Sequence, residues 1–288
     1  MARTTINGLG IEYELLGDKG APAVALTPGG RFAMTTPGLR ELGEELVKGG
    51  RRVLLWDRPN CGKSDLNLEG DSESGVNGRT LAALIGELDL GPTALAAGSA
   101  GARVSMIAAA AAPELVSHMV LWSISGDPIG IMFLALHYYG DAAVSAVLYG
   151  MESIEKLPAW SEIMKTNTAG RERLLKMDVH EFVAKMQAWA AGFRPPLDSP
   201  VPGMTPEDFK ALKMPILIFR SGTTDVHHTR RTSEWVHELI PQSKIVDPPW
   251  GDDEWNERVR AVASGEAKGL FVRWPLLAPV ILDFIAKN

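Results

Sequence analysis

Five small residues, Ala97-Gly98-Ser99-Ala100-Gly101, join two segments that require different backbones. The segment before them, residues 93–97, is a short apolar run, the pattern of a strand buried on both faces of a sheet. The segment after them, residues 102–112, is alanine-rich. Alanine is the strongest helix former, and its small side chain lets a helix lie close against a sheet. A chain that passes from buried strand to close-packed helix through so tight a turn is directed toward a layered α/β architecture.

The rest of the chain repeats this alternation. Residues 5–16 read as an opening hairpin, followed by strands at 23–26, 52–56, 119–123, 216–219 and 245–246. Helices are expected at 38–48, 79–88, 230–239 and 276–286. Together these predict a mostly parallel central sheet of about eight strands with flanking helices. Residues 127–213 break the rhythm: they are helical in pattern, with Asp178 as an N-cap and Glu181 three positions on. The expected organisation is therefore an α/β core from 1–126 and 214–288, with 127–213 inserted as a helical cap. Six of the eleven methionines fall in that insertion. Adaptable side chains suit the roof of an apolar pocket; ordinary helix packing accounts for them equally well.

The five-residue turn is the pattern G-x-S-x-G with Ala97 in place of the first glycine. In a strand–turn–helix setting such a serine is lifted clear of the sheet, and the Ala100 amide at the helix start faces a developing oxyanion. With this turn the chain resembles the α/β-hydrolase superfamily, of the kind that carries a helical cap. The resemblance covers nearly the whole chain, more loosely in the cap. It implies that Pro28-Gly29-Gly30-Arg31 is the oxyanion loop, with the amide of Gly30 or Arg31 as second donor, although Thr27-Pro28 replaces the usual histidine. Asp57-Arg58-Pro59-Asn60-Cys61-Gly62-Lys63-Ser64 is similar to the family's Asp-x-x-Gly-x-Gly-x-Ser segment, with Asn60 for its first glycine. Gly62-Lys63-Ser64 is not the end of a phosphate-binding loop, which needs a glycine where this chain has Asp57. Cys61 reads as a turn residue, since no histidine stands near it.

One departure from the family matters. The base is expected in the loop after the last strand, where this chain has Asp247-Pro248-Pro249-Trp250-Gly251-Asp252-Asp253-Glu254, and the last histidine is His237. The preceding loop offers a substitute. Asp225 falls at the family's acid position, with His227 and His228 just beyond. A serine hydroxyl needs a neutral imidazole, and the imidazole needs a carboxylate. The expectation is a role swap: His228 or His227 as base, oriented by Asp253 or Asp252, with Asp225 an alternative whose closeness in sequence makes a direct bond awkward. His118 and His237 read as structural. His137 and His180, in the cap, are weaker alternatives for the base, and Asp127 is a second candidate acid. Trp122, Trp250, Trp255, Met132 and His137 are candidates for the pocket wall, and Arg31 or Arg103 for contact with a substrate carboxylate.

The function implied is a cofactor-independent, metal-free hydrolase with nucleophilic Ser99. Its substrate would be a small, largely apolar ester or lactone, or a carbon–carbon bond beside a ketone. Two alternatives stay open: a catalytically silent ligand-binding protein on the same scaffold, and a lyase-like enzyme working by general base alone. A net charge of −6 without a basic run argues against a nucleic-acid partner. The single cysteine excludes an internal disulfide and a cysteine-rich metal site. The longest apolar run, 104–112, is too short to span a membrane, and no signal-peptide core opens the chain, so a cytoplasmic location is expected. The partners expected are a small-molecule substrate and, at most, a second copy of the chain in a homodimer.

Overall fold

A computed structural model describes residues 1–194 and 197–288. Its sheet has eight strands: β1 (Ala2–Ile6), β2 (Leu9–Leu16), β3 (Ala23–Thr27), β4 (Arg52–Trp56), β5 (Thr93–Gly98), β6 (Val116–Trp122), β7 (Ile216–Phe219) and β8 (Lys244–Val246), in the spatial order 1-2-4-3-5-6-7-8. β2 runs antiparallel to β1 and β4, and every other pairing is parallel. The wholly buried sequences of β3 and β5 follow from their central positions, where helices cover both faces.

The first covering helices, α1 (Leu39–Lys48), α2 (Glu73–Glu87) and α3 (Ala100–Ala111), are divided between the two faces of the sheet. Leu39, Leu42 and Leu46 of α1 pack with Val24, Val53 and Ala96 on one side of the sheet. Leu81 and Leu84 of α2, with Ala102 and Met106 of α3, pack with Ala25, Leu54 and Leu95 on the other. α2 begins at Glu73, ahead of the expected residue 79, because Ser72 caps it: its hydroxyl accepts from the Gly75 amide at 3.0 Å. The glycines of this helix, poor helix formers, disguise the start in the sequence. Gly78 is needed for close approach, since a Cβ there would lie 2.5 Å from Ile107 of α3.

Between β6 and β7 the chain leaves the sheet for a helical insertion: α4 (Pro128–Ala135), α5 (Asp141–Tyr149), α6 (Pro158–Thr166), α7 (Thr168–Leu175), α8 (Val179–Gly192) and α9 (Pro206–Ala211). The insertion has its own apolar centre, built on Trp160, Phe182 and Trp189. Met151, Met164 and Met186 are buried in that centre, so they serve helix packing. α4 and α5 are continuous through a π-helical turn at Leu136–Gly140, which gives one helix from Pro128 to Tyr149. By length and composition that helix is apolar enough to cross a membrane, a feature the shorter run at 104–112 did not reveal. After the insertion come α10 (Arg230–Leu239), α11 (Glu254–Ala263) and α12 (Ala278–Lys287). α11 begins at Glu254, directly after Asp252 and Asp253.

Candidate active site

Ser99 stands between β5 and α3 with φ 57° and ψ −125°, a left-handed conformation that a residue with a side chain avoids. Such a backbone costs about 1–3 kcal/mol and persists because its surroundings over-determine it. The small neighbours explain the motif. A side chain at Gly98 would enter the Trp122 ring, and one at Gly101 would enter the Thr27 backbone. Gly29 is equally constrained: a Cβ there would lie 2.5 Å from the Ser99 Cβ and 3.0 Å from its Oγ.

The Ser99 hydroxyl meets His228 Nε2 at 2.7 Å, and His228 Nδ1 meets Asp225 Oδ2 at 2.7 Å. Both acid and imidazole come from the single loop between β7 and α10. The loop turns back on itself because the other Asp225 oxygen accepts the backbone N–H of His227 at 2.9 Å and of His228 at 3.0 Å. This side-chain-to-backbone turn brings together two side chains that sequence spacing alone makes awkward to pair. Burial pushes the Asp225 carboxyl up, but the His228 ring and the two amides outweigh it, and the net shift is down. An ionised Asp225 fixes the proton on Nδ1, which leaves Nε2 to accept from Ser99.

The structure does not bring Asp252 or Asp253 to this ring, contrary to the expected role swap. Asp252 pairs with Arg230 at 2.5 Å, and Asp253 pairs with Arg260 and accepts from Thr224. Both are rim residues of the α11 start. His227 lines the same cavity as Ser99 but makes no hydrogen bond to that serine among the described residues; its Nδ1 accepts from Trp255 Nε1 at 3.2 Å. Asp127 caps α4, accepting from the Ile129 amide at 2.7 Å and from Thr229 and Thr232. His237 bonds Ser243, and His180 is exposed. Cys61 is buried, and that burial pushes its thiol up to about 12, out of nucleophilic range.

Beside Ser99 lies the loop after β3. Arg58, fully buried, donates through Nη2 to the Gly29 carbonyl at 3.0 Å and also to the Gly30 carbonyl. No signal beyond its place next to Asp57 marked Arg58 in the sequence. Ala100 opens α3 with its amide in the unpaired first turn. The Arg31 side chain is turned away from the main cavity and forms a two-point pair with Glu73, both bonds 3.1 Å.

Ser99, His228 and Asp225 line a cavity of about 330 Å³. Trp122, Trp250 and His137 line it as expected from the sequence, and so does Trp255. Met132 does not: it is 61% exposed on the outer side of α4, whose Phe133 and Leu134 face the cavity. None of the insertion's methionines contributes to the wall among the described residues. Sequence reasoning missed Tyr138 and the stacked pair Phe271 and Trp274, whose rings lie 3.8 Å apart. Those two come from a C-terminal segment without strand or long-helix periodicity.

A family model described as "Alpha/beta hydrolase family" matches residues 24–264. The 2-hydroxy-6-oxononadienedioate/2-hydroxy-6-oxononatrienedioate hydrolase of Cupriavidus pinatubonensis is 40% identical over 78 residues, 27% of each chain. The protein of the same name from Escherichia coli O81 is 32% identical over 127 residues, 44% of this chain and 43% of that one. The matches therefore span less than half the length of these curated relatives. Among solved structures, the enol-lactonase from Burkholderia xenovorans LB400 superposes with a TM-score of 0.61 at 18% identity, covering 99% of this chain and all of that one.

Proposed function

Because this chain belongs to the α/β-hydrolase family, we propose that it is a cofactor-independent hydrolase that works through an acyl-enzyme on Ser99. The observation that carries this reading is the unbroken relay from Ser99 Oγ to His228 to Asp225, each link 2.7 Å.

The reaction follows from the geometry. Ser99 Oγ attacks the substrate carbonyl as His228 Nε2 takes its proton, and Asp225 stabilises the imidazolium. The tetrahedral oxyanion is held by the Ala100 and Gly30 amides. Arg58 supports the second of these. In a trans peptide the carbonyl and the following N–H point in opposite directions, so a Gly29 carbonyl held by Arg58 turns the Gly30 N–H away from Arg58. The C–O bond to the leaving group then breaks, and His228 returns the proton to that oxygen. Water repeats the cycle on the acyl-enzyme, releasing the acid and restoring the serine hydroxyl.

The substrate reading is a small, largely apolar ester or lactone, or a carbon–carbon bond beside a ketone, where the leaving group is protonated on carbon. A cavity of about 330 Å³ walled by Trp122, Phe133, Phe271 and Trp274 suits such a molecule. The oxo acid in the relatives' names fits the ketone variant.

Labelling with a p-nitrophenyl alkylphosphonate tests the reading. Stoichiometric release of p-nitrophenol with the adduct on Ser99 supports it. A native protein that stays unlabelled under conditions that label ordinary esterases points instead to the binding-protein or general-base alternatives.

A further inference from the structure

The chain enters the insertion through residues 123–127, and the returning segment at 199–201 crosses that entry. Asp127 lies at the crossing: its amide donates to the Pro200 carbonyl at 2.7 Å. Gly126 is pressed against the same place, since a Cβ there would lie 2.5 Å from the Pro200 oxygen and 2.7 Å from Thr232 Cγ2. On the other side, Arg103 of α3 holds the entry through the Ser125 carbonyl at 3.3 Å. Asp127 has φ 49° and ψ 166°, a backbone that residues with a side chain avoid. Glycine would adopt it with little strain; what glycine lacks is the carboxylate.

That carboxylate is buried and holds two elements at once. Oδ1 accepts the amides of Ile129 at 2.7 Å and Gly130 at 3.4 Å, in the first turn of α4. Oδ2 accepts the hydroxyl of Thr229 and, at 3.1 Å, that of Thr232, in the first turn of α10. Thr229 follows His228 directly in the chain, and its hydroxyl also accepts the Thr232 amide at 3.2 Å. α4 meets the same loop a second time, because a Cβ at Gly130 would lie 2.8 Å from the His227 carbonyl oxygen. The start of the loop is tied to α10, through Arg230 to the Ser221 carbonyl and the Ser221 amide to Ser233, both at 3.1 Å. Its end, next to the imidazole, is tied to the insertion.

α4 and the turn after it carry Phe133, Leu134, His137 and Tyr138 to the main cavity. The wall that meets a substrate and the imidazole beside Ser99 are thus joined through one carboxylate. We propose that Asp127 is a positioning residue for His228: it holds Thr229, and with it the imidazole, in place beside Ser99 while α4 is seated over the cavity. A substrate that fits beneath α4 leaves the base aligned. One that lifts α4 draws Thr229 with it and moves Nε2 off the serine hydroxyl, and a misplacement of about 1 Å costs on the order of 100-fold in rate. This inference rests on the reading of His228 as the base.

The test uses three variants. Asp127→Asn keeps an oxygen for the α4 amides and puts a donor where Thr229 needs an acceptor; Thr229→Val removes the hydroxyl from the other side, and Thr229→Ser restores it. Each is measured in steady-state hydrolysis of p-nitrophenyl acetate and by proton NMR of the His228 Nδ1–H, assigned by its loss in His228→Ala. Expected is a kcat lower by about 10–100-fold in Asp127→Asn and in Thr229→Val, with KM within about threefold of native. The double variant is expected to be no worse than either single one, and Thr229→Ser to recover most of the loss. The ring proton is expected to move upfield or broaden in the two damaging variants and to return in Thr229→Ser. Thermal melting separates loss of fold from loss of alignment. A lower melting temperature with kcat and ring proton unchanged assigns Asp127 to the stability of α4 alone and overturns the proposal. A rise in KM at constant kcat also overturns it. The ring proton requires no turnover, so the two readings fail separately. A ring proton that moves in Asp127→Asn, in a protein without esterase activity, removes the base reading and keeps the tie. Activity that depends on Ser99 and His228 but not on Asp127 or Thr229 removes only the tie.

Discussion

Asp225 and His228, three residues apart on one loop, meet side chain to side chain at 2.7 Å. The bond is made possible by the second Asp225 oxygen, which gathers the two backbone amides that bend the loop. Carboxylate and imidazole thus come from one loop, and the loop after β8, residues 247–253, holds no histidine.

Replacing Asp225 separates this arrangement from one in which the later loop supplies the acid. Asp225→Asn is expected to lower kcat for a short-chain ester by roughly 10³–10⁴-fold, as expected when a triad carboxylate is neutralised. Asp252→Asn and Asp253→Asn, which disturb only rim ion pairs, are expected to stay within about twofold. Comparable losses in either rim variant and in Asp225→Asn would contradict the assignment.

The strained serine carries a stability signature. Ser99→Gly relieves the left-handed backbone, whereas Ser99→Ala retains it. Urea denaturation is expected to find the glycine variant more stable than the alanine variant by about 1 kcal/mol, at the low end of such strain after glycine's added chain entropy is subtracted. A glycine variant less stable than alanine would indicate that the turn stores no strain.

Arg58 holds the loop after β3, proposed to supply the second oxyanion donor, through two carbonyls and lies outside the main cavity. Arg58→Met is expected to reduce kcat by about 10²–10³-fold, the effect of losing one oxyanion donor, with KM changed far less. Arg58→Lys, which restores a donor, is expected to recover part of the loss. A rise in KM at constant kcat would assign Arg58 to substrate binding instead.

The lowered Asp225 carboxyl predicts a pH dependence of stability. Its folded value lies below the ordinary value of about 4, so its contribution is complete above pH 5 and is lost as pH falls through the folded value. The stability difference between native protein and Asp225→Asn is expected to be constant from neutral pH to about 5 and to close below about 4. A difference that widens on acidification would reverse the sign of the shift.

The fold was largely legible because strand and helix periodicity in a buried α/β sheet is strong. Ser99, Gly29 and Gly30 were readable because a strained turn and a close backbone approach admit few residue types. The acid was not resolved, since an Asp turned onto its own amides has the same sequence as one facing solvent. Met132 was misplaced because the insertion's helix pattern does not say which face meets the cavity. Phe271 and Trp274 come from a segment whose position is set by tertiary packing alone, and Arg58 by contacts to backbone oxygens that sequence does not display.

The central claim is that Ser99 and His228 form one chemical unit. Its most direct test is hydrolysis of p-nitrophenyl acetate by native protein, Ser99→Ala, His228→Ala and His227→Ala. The account predicts clear native turnover, losses of at least about 10³-fold in both Ser99→Ala and His228→Ala, and a smaller change in His227→Ala. Native turnover that survives His228→Ala, or falls equally with His227→Ala, would contradict it.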